Sequence, residues 1–242
     1  MAQIGYGYGS EYQLLRFLGH HRHLLEAEIS RQISECGTFN WLDFGFADRE
    51  IVISGDDEHK GMGFLWDNGL VEKDRYDALI KEYKSYQINK VQSWQNWDAI
   101  FVLNDVVYLV EAKAHVRELS SGKNIHGGES SGNILRFMQE QLPNLNVTDV
   151  WLKDYYQLGN RLATTALLNK HGIKCKTLCI FFCNGYLKQN IINKKMQIVD
   201  CKDATKEKFI KAIVKEHKEL GIDQLDISNL LAPPVFIDAN PK

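Results

Sequence analysis

Trp97-Asp98-Ala99-Ile100-Phe101-Val102-Leu103-Asn104-Asp105-Val106-Val107-Tyr108-Leu109-Val110-Glu111-Ala112-Lys113 decides the reading of this chain. Two apolar runs, rich in β-branched and aromatic residues, flank the Asn104-Asp105 pair. That pattern is a β-hairpin closed by a two-residue turn. The turn pairs residues equidistant from it, which sets Asp98 opposite Glu111. Side chains alternate faces along a strand, so Glu111 and Lys113 point the same way. Asp98, Glu111 and Lys113 therefore converge at one end of the hairpin. Two neighbouring carboxylates repel unless a cation joins them, and packing alone does not supply one.

The rest of the chain frames this hairpin. Its 242 residues, 44% of them hydrophobic, suit one domain spanning 1–242, with 40–90 as an inserted subregion. A helix is expected over 10–35, opened by Ser10 as N-cap and Gln13 as its capping-box partner. A strand at 51–53 and a helix near 72–86 follow, then the hairpin at 97–115. A polar, glycine-rich loop covers 118–133. Helices are expected near 130–141, 153–170 and 204–220, and strands at 176–183, 195–200 and 235–238. This alternation predicts an α/β fold: a central mixed sheet holding the antiparallel hairpin, with helices on both faces. The hairpin is apolar on both sides, which places it centrally in the sheet.

Composition excludes several classes. No run approaches a membrane span, and the N-terminus lacks a basic-then-apolar signal. Five cysteines without a Cys-x-x-Cys pair read as small buried residues in a reducing cytoplasm. The net charge is −2, but residues 40–82 carry −6 and residues 170–218 carry +8, the latter from 12 lysines. Such a lysine-rich region can follow a phosphate backbone, and it also suits an ordinary solvated helix face. His20, His21 and His23 read as surface residues.

The chemistry that suits the convergent trio is metal-assisted phosphodiester cleavage. Mg²⁺ favours oxygen ligands, keeps several waters, and is held by one or two carboxylates plus substrate phosphate. Asp98 and Glu111 supply the carboxylates, with the Ala112 backbone carbonyl as a further ligand. Lys113 orients or deprotonates the attacking water and offsets charge in the transition state.

Trp97-Asp98 followed by Glu111-Ala112-Lys113 resembles the core motif of the PD-(D/E)XK nuclease superfamily, with Trp97 in place of the motif's proline. Gly9-Ser10-Glu11, Leu15 to Gly19, Val110 to His115, Tyr155 to Ala163 and Phe181 to Asn184 resemble an uncharacterised bacterial group assigned to that superfamily. The resemblance implies a restriction-endonuclease-like fold and a Mg²⁺- or Mn²⁺-dependent nuclease acting on nucleic acid, DNA first. It implies that Gln157 helps hold the site.

It also implies one further acid from the first helix. At about 100° per residue, Glu11 shares a stripe with Leu18, Leu25 and Ile29, and a carboxylate on an apolar stripe needs a partner. Glu11 is that candidate, with Glu26 behind it; the alternative is that Glu11 simply favours the helix N-terminus. Arg161, clustered with Tyr156, Gln157 and Asn160, is expected to contact nucleic acid together with Lys123, Lys188, Lys194 and Lys195. The alternative function is a catalytically silent module of the same fold that binds nucleic acid or a protein partner. A homodimer is compatible with either.

Overall fold

The computed structural model describes residues 9–42, 46–47, 50–51, 59–88, 96–120, 129–191, 195–200 and 202–240. The chain forms an α/β fold around a five-stranded mixed sheet. Its strands are β1 (Asn40–Trp41), β6 (Ala99–Leu103), β7 (Val106–Lys113), β8 (Cys175–Cys183) and β11 (Val235–Asp238), side by side in that order. The intervening β2 (Phe46–Ala47) pairs with β3 (Glu50–Ile51), and β4 (His59–Lys60) pairs with β5 (Asn96–Trp97).

β6 and β7 form the expected hairpin, with Leu103 opposite Val106 and Ala99 opposite Val110. Asn104 and Asp105 both adopt positive φ, 50° and 61°. That conformation belongs to the hairpin turn whose twist matches the strands, and Asn and Asp tolerate it better than most residues. β7 then pairs in parallel with β8, which sets Glu111 beside Cys179 and Lys113 beside Phe181. The hairpin is interior to the sheet, as its two apolar faces require.

Alternation along β7 sends neighbouring residues to opposite layers. Tyr108, Val110 and Ala112 pack with Leu178, Ile180 and Phe182 of β8 under helices α1 (Ser10–His20) and α2 (Arg22–Ile33). Val107 and Leu109 face the other way. They meet α5 (Glu129–Gln141), α6 (Asp149–Lys153) and α7 (Tyr156–Lys170) through Phe137, Trp151 and Leu162. Phe64 and Leu65 of α3 (Gly63–Asp67) and Leu79 and Tyr83 of α4 (Lys73–Ser85) join that cluster. Farther along the same face, Phe209 and Ile213 of α8 (Lys206–Leu220) cover Phe181 and Cys183.

Four expectations are corrected. The single helix over 10–35 is two helices, broken at His21, whose backbone sits at φ −130°, ψ 28°. The Arg22 guanidinium donates to the Leu18 carbonyl across that break. Ser10 is the first helical residue instead of the cap; Gly9 precedes it at φ 90°, so no capping box forms. The helix over 153–170 starts at Tyr156, because Lys153 ends the separate α6. Finally, a strand absent from the sequence reading, β9 (Tyr186–Ile191), pairs with β10 (Lys195–Asp200) as a separate antiparallel hairpin.

Residues 52–53 of the expected early strand and 121–128 of the polar loop lie outside the described residues. Among the described residues, no helix is long and apolar enough to cross a membrane. Cys36, Cys175, Cys179 and Cys183 are free thiols; Cys175 and Cys183 are buried as expected, Cys179 is half-buried, and Cys36 is exposed, contrary to the expectation, while Cys201 lies outside the described residues.

Candidate active site

The C-terminal end of β7 buries three charges where a sheet ordinarily buries apolar groups. Glu111 is 4% exposed, Lys113 8% and Arg161 7%. Strand alternation brings Glu111 and Lys113 to the face under α7, and α7 delivers Gln157 and Arg161 one helical turn apart. Lys113 Nζ donates to Glu111 Oε1 at 2.6 Å and to Gln157 Oε1 at 2.7 Å. Arg161 Nε donates to Glu111 Oε2 at 2.9 Å, and its Nη2 lies 2.9 Å from the same oxygen. Glu111 thus takes a cation on each oxygen. Such pairs are needed, because an unpaired buried charge is strongly destabilising.

Trp97 supplies the floor. Its indole N–H donates to the Gly61 carbonyl at 2.9 Å, and its ring lies 4.6 Å beneath the Arg161 guanidinium. Trp97 is therefore a cation–π platform for Arg161. Gly159 of α7 also has a close-packing role: a Cβ there would lie 3.0 Å from the Trp151 ring. The glycine lets α6 press onto α7 beside Gln157.

Asp98 departs from the simple ladder. Pairing of β6 with β7 ends at Ala99 and Val110, and Asp98 occupies a bend just before it. Its Oδ2 accepts the Ala112 backbone N–H at 2.7 Å, so the side chain continues the hairpin where the backbone leaves it. Burial of its carboxyl, and next the Glu111 charge, push Asp98 up to about 8, against the Ala112 N–H, Lys113 and Arg161. Glu111 moves the other way. Burial would raise it, but the charges and hydrogen bonds of Lys113 and Arg161 hold it at about 2. Two acids in one site are driven apart by their partners, as in sites where carboxylates divide acid and base roles.

Glu216 of α8, absent from the sequence reading, completes the group. It is 5% exposed and lines a cavity of about 20 Å³ together with Glu111, Lys113, Gln157 and Arg161. Leu119, Leu158, Cys179 and Phe181 supply the apolar wall. The Glu216 carboxyl accepts no hydrogen bond from the described residues. Burial pushes it up to about 8, partly opposed by Lys113 and reinforced by Glu111. The signal for it was in the sequence: Phe209, Ile213, Glu216 and Leu220 form one stripe of α8, all buried.

The other expected residues are placed as follows. Gln157 joins the site through Lys113. Arg161, expected at a phosphate, is buried and turned onto Glu111. Glu11 stands in the first turn of α1, on the helix layer that covers the sheet face opposite Glu111 and Lys113. Glu26 accepts the Trp41 indole N–H at 2.9 Å. Lys188 and Lys195 belong to β9 and β10, where Lys188 pairs with Ile198 and Lys195 with Ile191. Lys123 and Lys194 lie outside the described residues. His20 and His23 are exposed.

The donors suit a hard divalent cation of the Mg²⁺ class. Among the described residues no group of three or more His, Cys, Asp or Glu side chains is arranged to hold a metal. Two carboxylates completed by water and phosphate are, however, what Mg²⁺ ordinarily takes. Capacity remains for it: a carboxylate offers about four lone-pair directions. Asp98 Oδ1 accepts no hydrogen bond from the described residues, and Glu111 Oε1 accepts only the Lys113 ammonium.

Comparison of the chain with protein-family models, with curated proteins and with solved structures finds no match.

Proposed function

We propose that this protein is a divalent-metal-dependent nuclease of the PD-(D/E)XK kind, hydrolysing phosphodiester bonds of DNA. One observation carries the reading: Lys113 is clamped between Glu111 and Gln157 at the end of one hairpin, where Asp98 accepts the backbone N–H of Ala112, the residue between them, and feels the Glu111 charge. Asp98 and Glu111 would hold a Mg²⁺ or Mn²⁺ ion, with the Ala112 carbonyl in reach of the same end. In that position a divalent ion would neutralise charge on the phosphate and acidify water.

The chain's own residues do the rest. Gln157 and Glu111 fix the Lys113 ammonium on two of its three N–H bonds. The third is left to donate to a water or to a developing negative oxygen, an interaction that strengthens towards the transition state. Arg161 holds Glu111 in one orientation while stacked on Trp97. The exposed Lys206, Lys211, Lys215 and Lys218 of α8 supply positive charge on the helix layer that covers the Glu111 face. They support a polyanionic substrate.

Arg161 also favours a second reading. A guanidinium with two nitrogens at Glu111 Oε2 neutralises that carboxylate without a metal. A module that keeps the nuclease fold and binds nucleic acid or a protein without cutting would have that feature. Calorimetric titration of Mg²⁺ and Mn²⁺ into the full chain, followed by a gel assay on duplex and single-stranded DNA and RNA, separates the two. The nuclease reading expects one ion bound, no binding in Asp98→Asn, and metal-dependent cleavage. Nucleic-acid binding that weakens with salt, without metal binding or cleavage, would establish the silent module.

A further inference from the structure

We propose that Glu216 is a further catalytic residue of this site: its carboxyl and the third N–H of Lys113 hold between them the water that attacks the phosphodiester. The proposal rests on the nuclease reading above and assigns a role to α8, which that reading does not use.

Three observations support it. Glu216 is a buried acid that accepts no hydrogen bond from the described residues, whereas Glu111 of the same cavity is held on both oxygens. It shares its cavity with Lys113, whose two hydrogen bonds leave one N–H over. The cavity measures about 20 Å³. One water needs roughly 10–15 Å³ on this measure and between two and four polar partners. A water here has an ammonium to donate to it and a carboxyl to receive its proton-bearing side. Glu111 already carries Lys113 on one oxygen and Arg161 on the other, which leaves Glu216 as the acid of this cavity without a cationic partner among the described residues.

The geometry also separates function from packing. An acid retained only for stability would be expected to carry a cationic partner of its own, as Glu111 does. Glu216 sits on an apolar stripe between Ile213 and Leu220. Leucine would suit that position better than glutamate in every respect except holding a water.

The test uses the full-length protein and the variants Glu216→Leu and Glu216→Gln. A high-resolution crystal structure of the wild type should place a water within about 3.2 Å of both Lys113 Nζ and a Glu216 oxygen. Glu216→Leu should lack it. With Mg²⁺ and a DNA substrate, Glu216→Leu should lose about 10- to 100-fold in kcat with KM unchanged, and Glu216→Gln should recover part of the loss. The Leu variant should melt no lower than wild type. Glu216→Gln, nearly isosteric, keeps the test open if the Leu variant does not fold. Wild-type crystals with no water there, or full kcat in Glu216→Leu, would overturn the proposal. A wild type that cleaves nothing ends the nuclease reading and the catalytic role together. In that case a water found at the position still upholds the site itself.

Discussion

The two faces of β7 are built from alternate residues of one eight-residue strand, and they solve opposite problems. Tyr108, Val110 and Ala112 enter a layer of Leu14, Phe17, Ile180 and Phe182, where the Tyr108 hydroxyl reaches Glu35 at the edge and no buried ion pair forms among the described residues. Glu111 and Lys113, their immediate neighbours, enter a layer where an arginine, a glutamine and a second buried glutamate await them. The first face is what hydrophobic burial produces without further instruction. The second removes several charges from water, and the pairing that results returns at best what desolvation costs. One strand thus carries a face that exists for stability and a face whose composition stability does not explain.

The comparison breaks or holds on a pair of substitution sets. Glu111→Ala leaves Lys113 and Arg161 buried without their acid and should cost about 3–5 kcal/mol. Replacing the trio together, Glu111→Leu with Lys113→Met and Arg161→Met, should instead leave stability unchanged or raise it by about 1–4 kcal/mol. On the other face Phe182→Ala should cost about 3–5 kcal/mol through the cavity it opens, with no replacement that does better than phenylalanine. Urea denaturation measures all three. A triple variant that unfolds would make the ion cluster a structural device and erase the distinction between the faces.

The smallest expected effect sharpens the register on which both faces depend. Asp105 is held at φ 61°. Glycine takes that conformation without a Cβ penalty, so Asp105→Gly should stabilise the protein by about 0.5–1 kcal/mol. A destabilised variant would mean that the turn is not the source of the register.

The hairpin was fully legible because period-two alternation and an Asn-Asp turn leave one register. From that register Glu111, Lys113 and the approximate place of Asp98 followed. Its departure from the ladder did not follow, because a side-chain bond to the Ala112 N–H is a tertiary event. The helix break at His21 was hidden for a related reason. Leu18, Leu25 and Ile29 keep a common buried stripe across it, so periodicity runs on where the backbone does not. β9, with its Lys-Gln-Asn core, lacks the apolar run that marks a strand of the central sheet, and it pairs only with β10. Arg161 is expected at nucleic acid because polar residues at adjacent turns look like an accessible face. In the fold α7 is buried nearly all round, from Leu158 to Leu168. Glu216 was within reach: the stripe argument that singled out Glu11 applies with more force to α8.

The central claim is that the Glu111 face is built around a reactive lysine, and Lys113→Met tests it most directly. Methionine keeps the unbranched stem without the ammonium and leaves Glu111 paired with Arg161, so the fold should persist. Under single-turnover conditions with Mg²⁺ and duplex DNA, the variant should cleave at least about 100-fold more slowly than wild type. Its DNA affinity and melting temperature should stay close to wild-type values. Equal cleavage by the two proteins, at equal stability, would contradict the account.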